Sequence, residues 1–433
     1  MSIKVVVADD SAFLRKSITD ILSEEKSVTI VDTAVNGIEA VEKVNQHRPD
    51  VLVLDLIMPE MDGLEAFKRI MDDYPVPTII LSAINPQNMD ASVQALLMGA
   101  FDYIVKPGGI GAKDLPRFRE ELRSKVLLAS QSQIKKIFSK TSSQRKITTL
   151  RQQRVNETFE FGLYLKDVKP IEEEKAEKIE PVKKKAIQPK PETIKTKVEK
   201  IKPLKKTKIK KKVEIDKKEV KTVSRGKKKS TLVIPDLKPA LGARVNTSLI
   251  VIGASVGGPR TLRTILKDIP RNISCPIMLV QHLNAFFLDS FVKSLNSACK
   301  LEVRTAKNGD TLRPGIVYVS PGEMHMELTL KGSDPVVRIF KGELVNYCMP
   351  SIDVLFFSAA RIYQEKTLGV LLTGMGRDGV AGLGTIQKMG GKTVAESEET
   401  CVLYGMPRNA KEQGVADMIL PDYKISDFFL QYT

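Results

Sequence analysis

Cysteine, histidine and long apolar runs are all scarce in this sequence of 433 residues. The four cysteines, Cys275, Cys299, Cys348 and Cys401, are widely spaced and form no C-x-x-C pair. That argues against a zinc site and a disulfide framework, and suits a reducing cytosol. No apolar run approaches the ~18 residues a membrane helix needs. Met1 leads within three residues into Lys4-Val-Val-Val-Ala-Asp-Asp10 rather than a secretory leader, so a cytoplasmic protein is expected. Acidic residues fall short of basic ones, 52 against 68, leaving a net charge of +16. Such an excess ordinarily points to nucleic acid or an anionic membrane.

The excess sits in one place. Residues 1–120 carry 12 basic and 19 acidic side chains, 121–247 carry 36 and 15, and 248–433 carry 20 and 18. Two near-neutral regions therefore flank a basic one, and the length suits two or three domains. The first region alternates apolar runs and amphipathic stretches: Ile3–Ala8 then Phe13–Leu22, Val51–Leu54 then Leu64–Met71, Thr78–Leu81 then Ala91–Gly99, Tyr103–Val105 then Leu115–Leu128. This is the pattern of a doubly wound parallel sheet, with turns at Asn36-Gly37, Asp62-Gly63 and Lys106-Pro-Gly-Gly109. We place this domain at 1–122.

Residues 123–246 begin as a polar, helix-compatible stretch and become Lys-rich with scattered Pro from Pro170 onward. Lone Ile and Val residues cannot build a core against that self-repelling charge, so a disordered linker is expected. A nucleic-acid arm is the sharper alternative, but aromatics for base stacking are nearly absent and no binding module is recognisable. A weak tether to an anionic membrane surface is the other use for this charge. From Ser248-Leu-Ile-Val-Ile-Gly253 the alternation resumes, with helix Arg260–Leu266, strand Ile277–Val280, helix Phe286–Leu295, strand Leu368–Leu372 and helix Leu383–Met389. Residues 301–345 read as inserted strands and hairpins. The expectation for 247–433 is a second, Rossmann-like α/β domain.

Ligands of parallel α/β sheets gather outside the carboxyl ends of the strands. In the first domain the strands end on Asp9-Asp10, on Asp55, on Ser82 and on Lys106-Pro107. Three carboxylates cannot all stay ionised at close range without a cation, and an oxygen-only set with open positions suits Mg²⁺. The hydroxyl and ammonium suit a phosphoryl group. An acidic pair opening a helix is often only a cap, but here every strand end but one, the second, carries matching chemistry.

These residues, in Val7-Ala-Asp-Asp-Ser-Ala-Phe-Leu-Arg15, Pro49 to Gly63, Ser82 and Gly99-Ala-Phe-Asp-Tyr-Ile-Val-Lys-Pro107, resemble the flavodoxin-like receiver domain of bacterial response regulators over its full length. The resemblance implies that Asp55 is a phospho-acceptor fed by a histidine kinase. It implies that Asp10, Asp55 and the Ile57 carbonyl ligate Mg²⁺, with Asp9 acting through water, and that Ser82, Tyr103 and Lys106 transmit phosphorylation.

In the last region the turn Gly253-Ala-Ser-Val-Gly-Gly258 admits three readings. A dinucleotide loop would want Gly at Ser255 and an acid where the next strand ends in Gln281-His282. A plain strand-to-helix turn needs only the glycines. A nucleophile turn would expose Ser255 among free N–H groups at a helix start. The third requires a base, and the chain has only His47, His282 and His325. His282 ends the neighbouring strand, about 4.8 Å away. The strand Leu368–Leu372 runs into Thr373-Gly-Met-Gly-Arg-Asp-Gly379, where glycines can turn N–H groups toward an oxyanion and Asp378 can orient the imidazole. Asp378 alone reads as a turn residue; the convergence of three strand ends favours Ser255, His282 and Asp378. A pairing of Ser255 with Asp310 and His325 is the other option on chain order alone.

Ile252-Gly-Ala-Ser-Val-Gly-Gly-Pro259, Val280-Gln-His282, Pro350-Ser-Ile-Asp-Val-Leu-Phe356, Leu372-Thr-Gly-Met-Gly-Arg-Asp-Gly379 and Tyr404-Gly-Met-Pro-Arg408 resemble the catalytic domain of the chemotaxis protein-glutamate methylesterases, the CheB family, throughout 248–433. The resemblance implies hydrolysis of glutamyl methyl esters on chemotaxis receptors with release of methanol, often deamidation of receptor glutamines, and no cofactor for the esterase reaction. Ser255, His282 and Asp378 would form the triad, with the Met375 N–H at the oxyanion, and recruitment to membrane receptor arrays follows. Two departures are visible: Val256 replaces the family's usual Thr, and the linker is longer and more basic than usual. A regulator with a non-catalytic binding output or a DNA-binding arm is the alternative.

Overall fold

The computed structural model describes residues 2–107, 115–138 and 247–432, all within one compact unit. The Gly108-Gly109 turn and, of the linker expected over 123–246, residues 139–246 with their tether and nucleic-acid alternatives lie outside the described residues. No helix among the described residues is long and apolar enough to cross a membrane.

The first domain is a five-stranded parallel sheet of order β2-β1-β3-β4-β5. Its strands are Ile3–Ala8, Val28–Ala34, Val51–Asp55, Thr78–Ser82 and Asp102–Val105, and its helices α1 to α5 are Ala12–Ser23, Gly37–His47, Gly63–Asp73, Pro86–Met98 and Leu115–Ser130. β3 and β4 are buried along their whole length, as continuous apolar runs covered on both faces must be. Side-chain caps start the helices: Ser11, Asn36, Asp62 and Asn85 each accept an N–H from the first turn. The last helix extends past residue 122, where the change in composition suggested the domain ends. Phe118, Leu122, Val126 and Ala129 continue one buried stripe to Ser130, and burying each large member contributes about 1.5–3 kcal/mol. Residues 134–138 form a further helical turn with Ile134 and Ile137 buried.

The second domain is a seven-stranded parallel sheet of order β14-β13-β12-β6-β7-β9-β8. Its strands are β6 (Leu249–Ala254), β7 (Ile277–Gln281), β8 (Glu302–Thr305), β9 (Ile316–Val319), β12 (Thr367–Leu371), β13 (Lys392–Glu396) and β14 (Met418–Leu420). The helices are α6 (Gly258–Leu266), α7 (Ala285–Ala298), α8 (Ile352–Tyr363), α9 (Val380–Lys388), α10 (Met406–Glu412) and α11 (Asp422–Tyr432). Of the stretch expected to be inserted hairpins, only β10 (His325–Lys331) and β11 (Asp334–Phe340) form one. β8 and β9 join the main sheet in parallel. The order places β6 between β12 and β7, so three strand ends meet side by side.

The two domains touch along α4, which packs on α6 and α7. Tyr103 reaches across, its ring centroid 4.2 Å from that of Phe287 and its hydroxyl accepting the Asn284 N–H at 3.0 Å. Gln133 donates its N–H to the Val402 carbonyl at 3.1 Å.

Candidate functional site

At the first sheet's carboxyl edge, Asp9 follows β1 and is fully buried, Asp55 ends β3 and is nearly so, and Asp10 is exposed. Oxygens of the three lie within 4.8 Å of one another. The Lys106 ammonium, following β5, pairs with Asp55 at 2.7 Å and Asp9 at 2.9 Å. Burial pushes the Asp55 carboxyl above its ordinary value; Lys106 opposes this and the Asp9 charge adds to it. Burial works against the Lys106 charge, but Asp55 and Asp9 outweigh it and hold the ammonium protonated. The oxygen-only donor set and the surplus of negative charge fit a hard divalent cation such as Mg²⁺. Ser82 is buried, bonded to the Ser92 hydroxyl at 2.8 Å. The Ile57 N–H lies 3.4 Å from Asp55 Oδ1. Thus each of the named residues but Tyr103 gathers at one edge. Tyr103 lies on the face turned toward the second domain, where Lys125 stands 5.0 Å from its ring.

In the second domain Ser255 follows β6, His282 follows β7, and Asp378 lies in the loop after β12. The Ser255 N–H bonds the Thr373 carbonyl at 3.0 Å, and the His282 N–H bonds the Ala254 carbonyl at 3.0 Å. Gly257 needs its left-handed φ of 77°, and a Cβ there would lie 2.4 Å from Val402. A Cβ on Gly374 would lie 2.5 Å from that of Ser255, so the Thr373–Gly379 loop runs directly against the serine. Met375, half exposed, makes no backbone N–H bond among the described residues.

His282 Nε2 and Asp378 Oδ2 are 2.9 Å apart. Asp378 is almost wholly buried and also accepts the Ser351 hydroxyl at 2.7 Å, the Ile352 N–H at 2.7 Å, the Asp353 N–H at 3.3 Å and Asn346 Nδ2 at 3.0 Å. Two of these donors are the orphan N–H groups that begin α8. Burial alone would raise its carboxyl, but His282, Asn346 and Ile352 overcome that and hold it below the ordinary value. Burial disfavours the imidazolium, yet Asp378 and Cys348 reverse the balance and raise His282 to about 9. Cys348 Sγ lies 3.9 Å from His282 Nδ1. Among the described residues the Ser255 hydroxyl makes no hydrogen bond with the imidazole. Both instead line one cavity of about 240 Å³, walled on its other side by Phe101, Tyr103 and Lys125.

The alternative partners do not assemble. His325 is buried and bonds the Glu343 carbonyl at 2.9 Å and the Ser351 N–H at 3.2 Å. Asp310 instead faces Arg304 at 3.7 Å and the Lys307 N–H at 2.9 Å. The residues that sequence reasoning missed are Asn346, Cys348 and Ser351, which frame the imidazole and its carboxylate. The Pro350-Ser-Ile-Asp353 motif was a signal for the last, but nothing in it says which side chain it serves.

The sequence profile of the CheB methylesterase family matches residues 250–429, and that of the response regulator receiver domain matches 5–114. The chain is 32% identical over 425 residues to the protein-glutamate methylesterase/protein-glutamine glutaminase of Pyrococcus abyssi, spanning 98% of this chain and 92% of that one. It is 34% identical over 432 residues to protein-glutamate methylesterase/protein-glutamine glutaminase 1 of Vibrio cholerae, spanning 99% and 98%. Among solved structures, the catalytic domain of Thermotoga maritima CheB methylesterase is 39% identical over 44% of this chain and 100% of that one, with a TM-score of 0.43.

Proposed function

The chain belongs to the CheB family of protein-glutamate methylesterases, and from that premise we propose that it hydrolyses glutamyl methyl esters with Ser255 as nucleophile, His282 as general base and Asp378 orienting it. The observation that carries this reading is the 2.9 Å His282–Asp378 pair at the edge that also holds the Ser255 turn. The Ser255 hydroxyl attacks the ester carbonyl as its proton passes to the imidazole nitrogen not held by Asp378. The hydroxyl must swing to that nitrogen when ester fills the cavity, since catalytic bonds often tighten only then. The tetrahedral oxyanion takes the Met375 N–H. The imidazolium returns the proton as the carbon–methoxy bond breaks, so methanol leaves. Water, losing a proton to His282, opens the acyl-enzyme and frees the glutamate carboxylate and Ser255. Glutamine side-chain amides follow the same path with ammonia as leaving group.

For the first domain, Asp55 is the phospho-acceptor: a carboxylate oxygen forms a bond to phosphorus as the bond to the histidine of a kinase donor breaks. Asp10, Asp55 and the Ile57 carbonyl would hold Mg²⁺, with Asp9 acting through water. When bound, Mg²⁺ neutralises charge on the phosphoryl oxygens. Lys106 pairs with the phosphoryl group in place of the Asp55 carboxylate, and Ser82 donates its hydroxyl. Tyr103 links this change to Asn284, two residues beyond His282. Because Phe101, Tyr103 and Lys125 wall the Ser255 cavity, the unphosphorylated receiver restrains the site and phosphorylation shifts the population toward an open state. The substrates are methyl-accepting chemotaxis receptors, and their arrays are where the enzyme works.

Methanol release from methylated receptor membranes tests the chemistry. Ser255→Ala should abolish it; a binding protein gives none even unsubstituted. Basal activity of a 247–433 fragment should exceed that of the full chain, and equality would discard the restraint.

A further inference from the structure

Glu396 ends β13 and none of it reaches solvent. An ionised carboxylate so placed costs several kcal/mol unless donors or cations meet it. Its Oε2 accepts the Thr373 N–H at 2.8 Å and its Oε1 the Thr400 hydroxyl at 2.9 Å. The charged groups facing it come from other elements: Asp422 at the start of α11, and Arg260 of α6, which pairs with Asp422 at 3.0 Å. The buried Cys401 thiol is the further titratable neighbour, and Lys267 acts on Asp422 from beyond. Two carboxyl groups thus share one close guanidinium. Burial, then repulsion from Asp422, raises Glu396 to about 7, with Thr373, Thr400 and Arg260 opposing.

Thr373 is the joint of the esterase edge. Its carbonyl accepts the Ser255 N–H at 3.0 Å, its hydroxyl donates to the Val256 carbonyl at 2.9 Å, and the Leu403 N–H bonds that hydroxyl at 3.0 Å. The next residue, Gly374, lies against the Ser255 side chain, and its carbonyl takes the N–H groups of Gly405 and Met406. The Thr373 N–H is spent on Glu396 instead. We propose that Glu396 is a positioning residue for ester hydrolysis: its carboxylate anchors the Thr373 peptide, which spaces the Ser255 hydroxyl from the Met375 N–H. This rests on the reading of Ser255 as nucleophile. A protonated Glu396 turns an O–H toward donors and gives up a charge-assisted bond, letting the joint slacken; a misplacement of about 1 Å can cost on the order of 10²-fold in rate.

The test is methanol release by the full-length chain on methylated receptor membranes across pH. Glu396→Ala should lower kcat about 10-fold to 10²-fold with little change in KM. Glu396→Gln keeps an acceptor for Thr373 but cannot ionise. Like the protonated acid it should work at the reduced, acid-side rate at every pH and lose the inflection near 7, leaving only that of His282 near 9. An unaltered pH profile in Glu396→Gln overturns the proposal, as does a loss in Glu396→Ala that only tracks a lower Tm. If Glu396→Ala does not fold, the Glu396→Gln profile decides alone. Ser255→Ala runs alongside: persistent methanol release would sink the nucleophile reading, whereas a dead Ser255→Ala beside unaffected Glu396 variants would sink only this inference.

Discussion

Asp55 and Asp378 are both buried carboxylates at the carboxyl edge of a parallel sheet, yet one is held above its ordinary ionisation value and the other below. Among the described residues Asp55 has a single cation, shared with Asp9, and the repulsion of that second acid. Asp378 has the imidazole and four further donors, two of them at a helix start. A carboxylate left short of positive partners is suited to accept a new group together with counter-charge. One saturated with donors is suited to hold its charge and hold a neighbour still.

The sharpest way to break this contrast is Asp378→Asn, which keeps the size but forfeits the charge that fixes the imidazole. Methanol release should fall on the order of 10³–10⁴-fold, and a fall under tenfold would mean that the donors, not the charge, matter. Gly374→Ala should come next, at about 10²-fold, because its Cβ would stand 2.5 Å from that of Ser255; normal kcat there would show that the loop moves aside freely. Lys106→Gln should remove the phosphorylation-driven rise in activity while leaving the His282 titration where it was, since no bond joins them. A shifted esterase pH profile would contradict that separation.

Cys348→Ala has a smaller effect. Cys348 helps raise His282, so its loss should move the acid limb of kcat/KM to lower pH and increase activity at neutrality; movement the other way would mean that the thiol props the ring instead. The same shift has a sign for stability. The imidazolium is favoured in the folded state, so its contribution is complete below 6.5 and is lost as pH rises through about 9. Thermal melts should show that loss in the unsubstituted chain and much less of it in Asp378→Asn.

In the first domain nearly all of the site could be read along the chain, because each group lies at a strand end and strand ends of one parallel sheet necessarily share an edge. Ser255 and His282 follow strand ends in the same way, whereas Asp378 lies in the loop beyond β12 and its 2.9 Å pairing with His282 is visible only in the fold. The last helix of the receiver was read along the chain as Leu115–Leu128, two residues short of its end at Ser130, but the domain boundary was set at 122, inside it, because the shift toward basic composition there outweighed the helical spacing of Phe118, Leu122, Val126 and Ala129. Cys348 and Asn346 could not have been placed, since neither lies at a strand end. They reach His282 and Asp378 over 66 and 32 residues of chain, through a loop whose path no periodicity records.

By itself, then, the order of residues determined two parallel α/β domains, their acidic and serine edges, and the identities of the groups on them, because apolar period and strand-end chemistry are local properties. Only the tertiary structure decided that β12 lies beside β6, that Thr373 joins the serine turn to a buried Glu396, and that Tyr103 of one domain meets Asn284 of the other. Those depend on which distant surfaces pack together, and burial then sets how strongly each charge is felt.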